Sequence, residues 1–395
     1  MVKGKVKRKI YFAGGSVLSA VNKIIPKNKR KILIFCKGEL YDNSETLFGY
    51  LMSHKLYEKY DIVCAVGKPQ NYQKLVRKNV RFVNLAGSLK EIMTAGFIFY
   101  HGEILAIMPT KDQVSIDYWH GTPLKKINHM LEDKLGDYHY DFFTYLTAPS
   151  EMFRPIMAEA FNCKLNQVII AGHPRNDDLF SKKDEFHKLG LVKEDYNKVF
   201  VWMPTYRISH DKLIMDSSED FMKNAGIPLF HTAESFTKLN AYMEAHNSLL
   251  LIKLHPAQNL EALAVKDMSH IKILTGAYLD QKRVRLYRLL KDTDALITDY
   301  SSVYFDYLLL DKPEAFIIED MKEYGSHRGF VVDNPLDYMP GEIIENQEGF
   351  YGFLENCIEG KDSYKEKRRE INDKVNHYKG GGNCQRLLEF AGISK

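Results

Sequence analysis

The chain has 395 residues, of which 45% are hydrophobic and 27% are charged, and its formal net charge is +4. This length and composition allow two domains that each bury a core, and they exclude a disordered protein. The five cysteines are odd in number and none occurs in a Cys-x-x-Cys pair. This spacing argues against a disulfide framework and a zinc site, and it favours a reducing cytoplasmic compartment.

The positive charge lies at the start of the chain. Residues 1–38 contain eleven Lys or Arg and no Asp or Glu, which leaves 44 basic against 51 acidic residues in the remainder. Asn22 and Lys23 interrupt the apolar stretch of this segment, which is too short and too polar to span a membrane. Between two basic clusters, apolar residues recur near helical spacing: Ile10, Ala13, Val17, Leu18, Val21, Ile24 and Ile25.

We predict that residues 1–30 form a helix on an anionic membrane surface, where each nearby basic residue adds roughly 1 kcal/mol of attraction. Gly14 and Gly15 weaken such a helix. The alternatives are a solvated basic tail and a core helix that precedes the first strand. Nucleic acid is not an expected partner, because the rest of the chain is acidic and has no recognised binding motif.

Strand-like apolar runs alternate with helix-like segments from residue 31 onwards. One intervening helix has Asn43 or Ser44 as a candidate cap, and another has Ser88. This alternation predicts parallel βαβ units. The strand-like runs lie at 31–35, 62–66, 81–85, 97–100, 116–119, 142–147 and 168–171.

The pattern restarts after a charged, linker-like segment at 181–198. A charged stretch at 361–379 is typical of a surface helix that the glycines at 380–382 stop. The sequence therefore predicts an α/β protein with two Rossmann-like doubly wound domains, 31–195 and 196–395, after the basic segment 1–30. The second set has strands at 199–203, 249–254, 271–274, 295–297 and 314–318, and helices at 234–246 and 284–290.

Short polar motifs follow several of these strands. Ligands of doubly wound sheets bind beyond the carboxyl ends of the strands, so two such domains face to face place the motifs along one central cleft. The sequence contains neither the glycine fingerprint of dinucleotide-binding folds nor a P-loop, and oxidoreductase and NTPase functions lack their usual support.

His120 follows Trp119 at a strand end and precedes Gly121 and Thr122. A neutral imidazole titrates near pH 6.5, which suits a general base that takes a proton from an alcohol. A purely structural histidine is the alternative. The lysines at 125 and 126 give this motif a cationic surround suited to a phosphorylated partner.

The second domain offers groups that bind anions. Lys253 and His255 lie on the same side of a strand that Pro256 ends, so both can reach one anion. Arg207 ends the motif Pro-Thr-Tyr-Arg, and its guanidinium suits bidentate phosphate binding. The ordinary alternatives are a surface salt bridge for Arg207 and a strand cap for His255.

Residues 298–302, Thr-Asp-Tyr-Ser-Ser, join an apolar strand to a helix start. Ser301 and Ser302 can cap that helix or donate to a phosphate, which backbone N–H groups at a helix start also attract. Asp299 repels phosphate, so we expect it to accept backbone donors. No Asp-x-Asp pattern of a metal-dependent sugar-nucleotide enzyme is present there, and no metal ligands are predicted.

Residues 172–177, Gly-His-Pro-Arg-Asn-Asp, form a further motif after a strand. Arg175 can bind an anion in the same way as Arg207, whereas Asn176 and Asp177 can also start a helix. We therefore interpret this motif mainly as architecture.

In this order the motifs resemble those of the CDP-glycerol glycerophosphotransferase family. These bacterial enzymes move glycerol phosphate or ribitol phosphate from a CDP-alditol onto a wall or capsule polymer precursor. The resemblance runs from about Trp119 to Phe330. It rests on residues 119–123, 172–177, 204–207, 255–256, 298–302 and 327–330.

The resemblance implies a GT-B-like fold and a peripheral enzyme on the cytoplasmic face of the bacterial membrane. Its implied partners are CDP-glycerol or CDP-ribitol and a polyprenyl-diphosphate-linked acceptor, with no tightly bound cofactor and the Mg²⁺ requirement left open. Family polymerases often carry a further N-terminal module. A chain of this length therefore favours a priming or single-addition enzyme or a compact capsule polymerase.

By motif, His120 resembles the family's base and His255 a second catalytic group. The groups that the resemblance implies for the donor pyrophosphate are His255, Arg207, Ser301 and Ser302. Further donor-side and cleft residues are Thr205, Lys253, Thr298 and Asp299, and then Gly121, Thr122, Arg175, Asp177, His327 and Arg328. Two other functions fit the same patterns: a GT-B glycosyltransferase that uses a UDP- or GDP-sugar, and a non-catalytic, membrane-associated nucleotide-binding protein.

Overall fold

A computed structural model of the protein describes residues 2–102, 104–131, 141–205, 227–254, 266–318 and 321–394. They form two compact units. Unit 1 contains Met1–Gly121, Asp137–Asp177 and Gly380–Lys395, and unit 2 contains Thr122–Gly136 and Asp178–Lys379. The chain thus returns to unit 1 at Gly380, and residues 178–195 belong to unit 2, whereas the sequence placed the domain boundary at 195.

Unit 1 contains a parallel sheet of seven strands. The strands are β1 (Asn28–Phe35), β2 (Asp61–Ala65), β3 (Val80–Val83), β4 (Ala95–Tyr100), β5 (Val114–Asp117), β6 (Tyr145–Ala148) and β7 (Val168–Ile170). Their order across the sheet is β3-β2-β1-β4-β5-β6-β7, and every neighbouring pair is parallel. Ile32, Leu33 and Ile34 of β1 have no exposed surface, as expected for a sheet covered on both faces.

Unit 2 contains a parallel sheet of six strands. The strands are β8 (Lys198–Trp202), β9 (Ser248–Lys253), β10 (Ile271–Leu274), β11 (Ala295–Thr298), β12 (Glu314–Ile317) and β13 (Glu342–Ile344). Their order is β10-β9-β8-β11-β12-β13, again with parallel neighbours only.

The helices of the described residues surround the two sheets. In chain order they are α1 (Val2–Ile24), α2 (Asp42–Ser53), α3 (Ser88–Thr94), α4 (Phe153–Ala160), α5 (Ala233–Ala245), α6 (Gly276–Lys282), α7 (Leu286–Leu290), α8 (Val303–Tyr307), α9 (Met321–His327), α10 (Gln347–Ile358), α11 (Lys365–Val375) and α12 (Asn383–Phe390). The C-terminal helix α12 belongs to unit 1, where Cys384, Leu387 and Leu388 join the core beneath β1 and β2.

Both sheets have the strand order of the Rossmann fold, in which the first strand of each half is central. The order reverses between β1 and β4 in unit 1, and between β8 and β11 in unit 2. Ligands of such sheets bind at the carboxyl ends of the strands beside this switch point. The prediction of two Rossmann-like doubly wound sheets in a GT-B-like α/β protein is confirmed.

The strands predicted from the sequence are present as β1 to β12, with ends that differ by up to three residues. The sequence did not predict β13, because a strand of only three residues at a sheet edge is too short to show a period. The surface helix predicted at 361–379 is α11, and it ends at Val375. Asn376 follows in an extended conformation, so the glycines at 380–382 do not stop this helix.

Helix α1 packs against the segment between β4 and β5. Gly15 is buried there, and a Cβ at this position would collide with the carbonyl of Ala106. The Ser19 hydroxyl accepts the N–H of Met108 at 2.9 Å, and the Asn22 amide donates to Gln113 Oε1 at 2.8 Å. Small and polar residues are thus among those by which α1 contacts the rest of unit 1. Among the described residues, no helix has both the length and the apolar composition that crossing a bilayer requires.

Candidate active site

His120 lies just beyond the carboxyl end of β5, where the chain turns sharply. Trp119 has φ +50° and Gly121 has φ +122°, and between them the His120 side chain is exposed. Asp117 stabilises this turn, because Oδ1 accepts the N–H of Trp119 at 2.7 Å and that of Gly102 at 3.3 Å. One carboxylate thus joins the ends of β4 and β5.

Two aromatic rings contact the His120 imidazole. The Trp119 ring centroid lies 4.6 Å away, and the His101 centroid lies 5.0 Å away at an interplanar angle of 67°. A Cβ at Gly102 would lie 2.8 Å from His120 Nε2, so this position has no room for a larger residue. The sequence analysis did not identify His101 as a site residue.

His101 is buried, and its ring nitrogen Nδ1 lies within hydrogen-bonding distance of a side chain. Ser44 Oγ lies 3.1 Å from His101 Nδ1 and 2.5 Å from the hydroxyl of Tyr118. Burial, together with the nearby charges of His120 and Arg175, lowers the pKa of His101 to about 3. His101 is therefore a neutral imidazole in the physiological pH range.

Asp117 is fully buried. Burial raises its pKa to about 8, although the N–H groups of Trp119 and Gly102 favour the ionised form. Its Oδ2 and the Tyr100 hydroxyl have no hydrogen-bond partner among the described residues.

We expect Asp117→Asn to reduce the loss of stability that accompanies a rise in pH from about 4 to about 8. Because folding raises the pKa of Asp117 from 3.8 to about 8, its contribution is complete below pH 4 and declines as the pH rises. The free energy of unfolding of the wild type should fall relative to the variant by about 1.4 kcal/mol per pH unit over this interval. Urea unfolding at pH 5 and pH 8 measures the difference. The exposed Asp112→Asn is the control, and parallel curves for Asp117→Asn and the wild type would contradict the assignment.

Arg175 binds a carboxylate of its own unit. Its Nη1 lies 3.1 Å from Asp42 Oδ2, and its backbone N–H donates to Asn43 Oδ1 at 2.9 Å. The guanidinium packs beside Gly121, where any Cβ would collide with it. These contacts join the end of β7 to the start of α2 and to the His120 turn, which agrees with an architectural role for residues 172–177.

Asp177 caps a helix that lies 206 residues later in the chain. Its Oδ1 accepts the backbone N–H of Asn383 at 2.7 Å, and its Oδ2 accepts that of Cys384 at 2.9 Å. These are the first residues of α12, where a carboxylate also interacts favourably with the helix dipole. Gly172 supports the contact, because a Cβ there would collide with the side chain of Asn383.

We expect Asp177→Ala to lower the free energy of unfolding by about 2–3 kcal/mol, because it removes charge-assisted hydrogen bonds to the start of α12. Urea unfolding of the full chain measures this change. Glu151→Ala, an exposed carboxylate of the same unit, is the control and should change stability by less than about 0.5 kcal/mol. Equal stabilities of the two variants would exclude the capping role.

The start of α2 differs from the expectation that Asn43 or Ser44 caps it, which was wrong. This helix begins at Asp42, Tyr41 is its cap, and no side chain caps it. Asn43 and Ser44 are fully buried and serve the site instead: the Asn43 amide donates to the Trp119 carbonyl at 3.0 Å, and Ser44 binds His101. Their position after β1, beside the switch point, is the signal that would have identified them.

In unit 2, Asp299 joins the two strands beside the switch point. Its carboxylate accepts the backbone N–H of Thr205 at 2.7 Å and also the Thr205 hydroxyl. The hydroxyl of Thr298 donates to the Met203 carbonyl at 2.8 Å. Asp299 thus accepts a backbone donor, as expected from the sequence, and the ends of β8 and β11 are held together.

Ser301 and Ser302 are half-buried and lie directly before α8, a helix of five residues. Ser302 makes no capping hydrogen bond through its side chain. At the end of β9, Lys253 Nζ donates to the Leu254 carbonyl at 2.8 Å. Burial lowers the pKa of the Lys253 ammonium group, and the carboxylate of Asp280 opposes this shift.

Three sequence motifs meet within unit 2. Lys125 pairs with Phe330 in a β-bridge, and Lys126 N–H donates to the Gly329 carbonyl at 3.1 Å. The rings of Tyr300 and Tyr324 stack at 4.4 Å beneath this bridge. Residues 122–126, 298–302 and 328–330 therefore form one cluster, to which the buried Thr122 and the half-buried Arg328 belong.

His255 and Arg207 lie outside the described residues, as does the side chain of His327. Their predicted roles stay predictions. Among the described residues, no group of three or more His, Cys, Asp or Glu side chains is arranged to hold a metal ion.

The family of the chain follows from its similarity to known proteins. A family model described as CDP-Glycerol:Poly(glycerophosphate) glycerophosphotransferase matches residues 17–391. The chain belongs to this family. The match extends the resemblance noted in the sequence to nearly the whole chain, and the protein is a transferase of the glycerophosphotransferase family.

Individual members of the family show the same relationship. The chain is 26% identical to a teichoic acid glycerol-phosphate transferase of Staphylococcus aureus (strain NCTC 8325 / PS 47), over 98% of this chain and 99% of the relative. It is 30% identical to the teichoic acid glycerol-phosphate primase of Bacillus subtilis (strain 168), over 64% of this chain and 58% of the relative. The solved wall teichoic acid polymerase TagF shares the fold, with a TM-score of 0.72 and 21% identity over 99% of this chain and 95% of TagF.

Proposed function

We propose that the protein transfers glycerol phosphate from CDP-glycerol to a hydroxyl group of a polyprenyl-diphosphate-linked saccharide or growing polymer, and that it releases CMP in teichoic acid synthesis. The observation that carries this proposal is the exposed His120 imidazole, held between the ends of β4 and β5 in a chain of the glycerophosphotransferase family. The Staphylococcus aureus relative, which aligns over nearly its full length, is named for glycerol phosphate.

In this mechanism His120 removes the proton of the acceptor hydroxyl. The oxygen attacks the glycerol-bearing phosphorus in line, the bond to the cytidylyl phosphate breaks, and CMP leaves. Catalysis then depends on the positions of the reacting groups and on the stabilisation of charge on the phosphates. We assign donor binding to Lys253, Ser301 and Ser302 in unit 2, together with Arg207 and His255, which lie outside the described residues.

A donor panel tests this proposal. Purified protein is incubated with a lipid-linked disaccharide acceptor and with CDP-glycerol, CDP-ribitol, a UDP-sugar or a GDP-sugar, and the released nucleotide is measured. We expect CMP release from a CDP-alditol that depends on the acceptor, and no UDP or GDP release. Release of UDP or GDP would indicate a glycosyltransferase, and nucleotide binding without release would indicate a non-catalytic protein. Preference for CDP-ribitol would change the assigned alditol.

We also propose that α1 binds the cytoplasmic face of an anionic membrane. Its residues Gly15, Ser19 and Asn22 contact the rest of unit 1, whereas Val17, Val21 and Ile24 are exposed. Val17 is 65% exposed and Ile24 is 81% exposed. Such an apolar face next to basic residues is typical of helices that lie in a membrane interface.

We expect the double variant Val17→Asp, Ile24→Asp to bind vesicles that contain anionic lipid at least about tenfold more weakly than the wild type, because it removes apolar contact and adds negative charge. Co-sedimentation with vesicles of phosphatidylglycerol and phosphatidylcholine measures this binding. Val192→Asp replaces an equally apolar residue of unit 2 that is 52% exposed, and serves as the control. Unchanged binding of the double variant would refute the membrane role of α1.

A further inference from the structure

His101 is a second imidazole in unit 1, and the mechanism above gives it no role. It directly follows β4, beside the switch point of the sheet, and only 7% of its surface is exposed. Its ring meets the His120 ring nearly edge to face, with the centroids 5.0 Å apart. His120 itself is exposed, so on its protein side the imidazole is bounded by the rings of His101 and Trp119.

Ser44 and Tyr41 both contact the His101 ring. Ser44 Oγ lies 3.1 Å from Nδ1, and the same hydroxyl lies 2.5 Å from the Tyr118 hydroxyl. The Tyr41 ring packs edge-on against His101, with centroids 4.8 Å apart and an interplanar angle of 80°. These groups come from the start of α2 and from the end of β5, so rotation of His101 would break contacts to both elements.

The backbone beneath the two histidines is equally constrained. Asp117 Oδ1 accepts the N–H groups of Gly102 and Trp119, the residues that follow His101 and precede His120. Gly102 has φ +71° and leaves no room for a Cβ beside His120 Nε2. The distance between the two imidazoles is therefore set by the ends of two neighbouring strands.

The charge state of His101 suits a position beside a base. The titratable groups that face it are His120, Arg175, Tyr41 and Tyr118. The positive charge of Arg175, and that of His120 once it is protonated, disfavour a positive charge on His101. A protonated His101 would repel the proton that His120 takes from the acceptor, whereas a neutral ring does not. Once His120 is protonated, its imidazolium also interacts favourably with a neighbouring aromatic ring.

We propose that His101 is a positioning residue for His120: the Ser44–Tyr118 pair fixes the His101 ring, and that ring sets the orientation of the His120 imidazole toward the acceptor hydroxyl. This inference rests on the proposed function, in which His120 is the base. It goes beyond the family motifs, none of which includes Ser44 or His101.

A double-mutant cycle tests whether His101 acts through His120. We expect His101→Ala to lower kcat for CMP release about 10- to 100-fold with little change in KM for CDP-glycerol, because a small misplacement of a catalytic group is costly while donor binding is untouched. In a His120→Ala background the same substitution should lower the residual rate less than about twofold. His101→Phe, which keeps a ring of similar shape, should recover most of the lost rate.

A loss of equal size in both backgrounds would overturn the proposal, because it would show that His101 supports the fold rather than His120. If His101→Ala does not fold, Ser44→Ala replaces it, since this variant keeps both imidazole rings and removes the hydroxyl that lies beside His101 and Tyr118. His54→Ala, at the far end of α2, is the matched control and should leave kcat unchanged.

A second readout separates this inference from the proposed function. With isotope-labelled histidine, the His120 ring signal, assigned by its absence in His120→Ala, is followed over pH in the wild type and in Ser44→Ala. The inference predicts a changed signal in Ser44→Ala, and an unchanged one overturns it whatever the transferase assay gives. If His120→Ala retains full turnover, the proposed base is wrong whatever the His120 signal shows.

Discussion

Replacement of His120 by alanine should lower the rate of CMP release about 10²- to 10⁴-fold, the usual loss for a general base. The imidazole is exposed at the end of β5, so its removal leaves no buried cavity and should change the free energy of unfolding by less than about 0.5 kcal/mol. Steady-state CMP release with CDP-glycerol and a lipid-linked acceptor, together with urea unfolding, measures both quantities.

The pairing of a large kinetic effect with a small effect on stability is what identifies a catalytic group. His54→Ala removes another histidine of unit 1, whose ring stacks on Tyr50 at 3.9 Å, and it should affect neither quantity. A folded His120→Ala protein with near-normal turnover would end the assignment of His120 as the base.

Replacement of Asp299 by alanine should have the largest effect in unit 2. The buried carboxylate accepts both the N–H and the hydroxyl of Thr205, and its loss removes this acceptor from both donors at the end of β8. We expect the free energy of unfolding to fall by about 2–3 kcal/mol. KM for CDP-glycerol should rise at least about tenfold, because the strand ends beside the switch point carry the proposed donor groups.

Urea unfolding and steady-state kinetics test these two effects separately. Asp299→Asn keeps a carbonyl oxygen that can accept one of the two Thr205 donors, and should show a smaller loss of stability. Asp373→Ala removes an exposed carboxylate of the same unit and is the control. Unchanged stability and an unchanged KM in Asp299→Ala would show that the contact between β8 and β11 serves neither the fold nor the donor.

The sheets could be predicted from the sequence because their signal is local. Runs such as residues 31–35 are apolar at successive positions, and strands buried on both faces require this pattern. The same logic placed Trp119 and His120 at a strand end, as the structure has them. β13 was not predicted, because a strand of three residues at a sheet edge does not require such an apolar run.

The surroundings of His120 could not be predicted in the same way, because they join residues distant in sequence. Asn43 and Ser44 resembled helix caps, and only the folded sheet brings them to Trp119 and His101. The hydrogen bond between Asp177 and the start of α12 likewise joins residues that are 206 positions apart. It forms because the last helix returns to unit 1. Short polar residues fit both a cap and a buried site, so local spacing could not separate the two roles.

The central claim is tested most directly by following both products of the transfer at once. Wild-type protein is given CDP-glycerol and a defined lipid-linked disaccharide, CMP is measured by chromatography, and the lipid product is measured by mass spectrometry. The account predicts that each released CMP corresponds to one glycerol phosphate added to the acceptor, and that both signals fall together in His120→Ala. CMP release without a gain of glycerol phosphate on the lipid, or transfer that persists unchanged in His120→Ala, would contradict it.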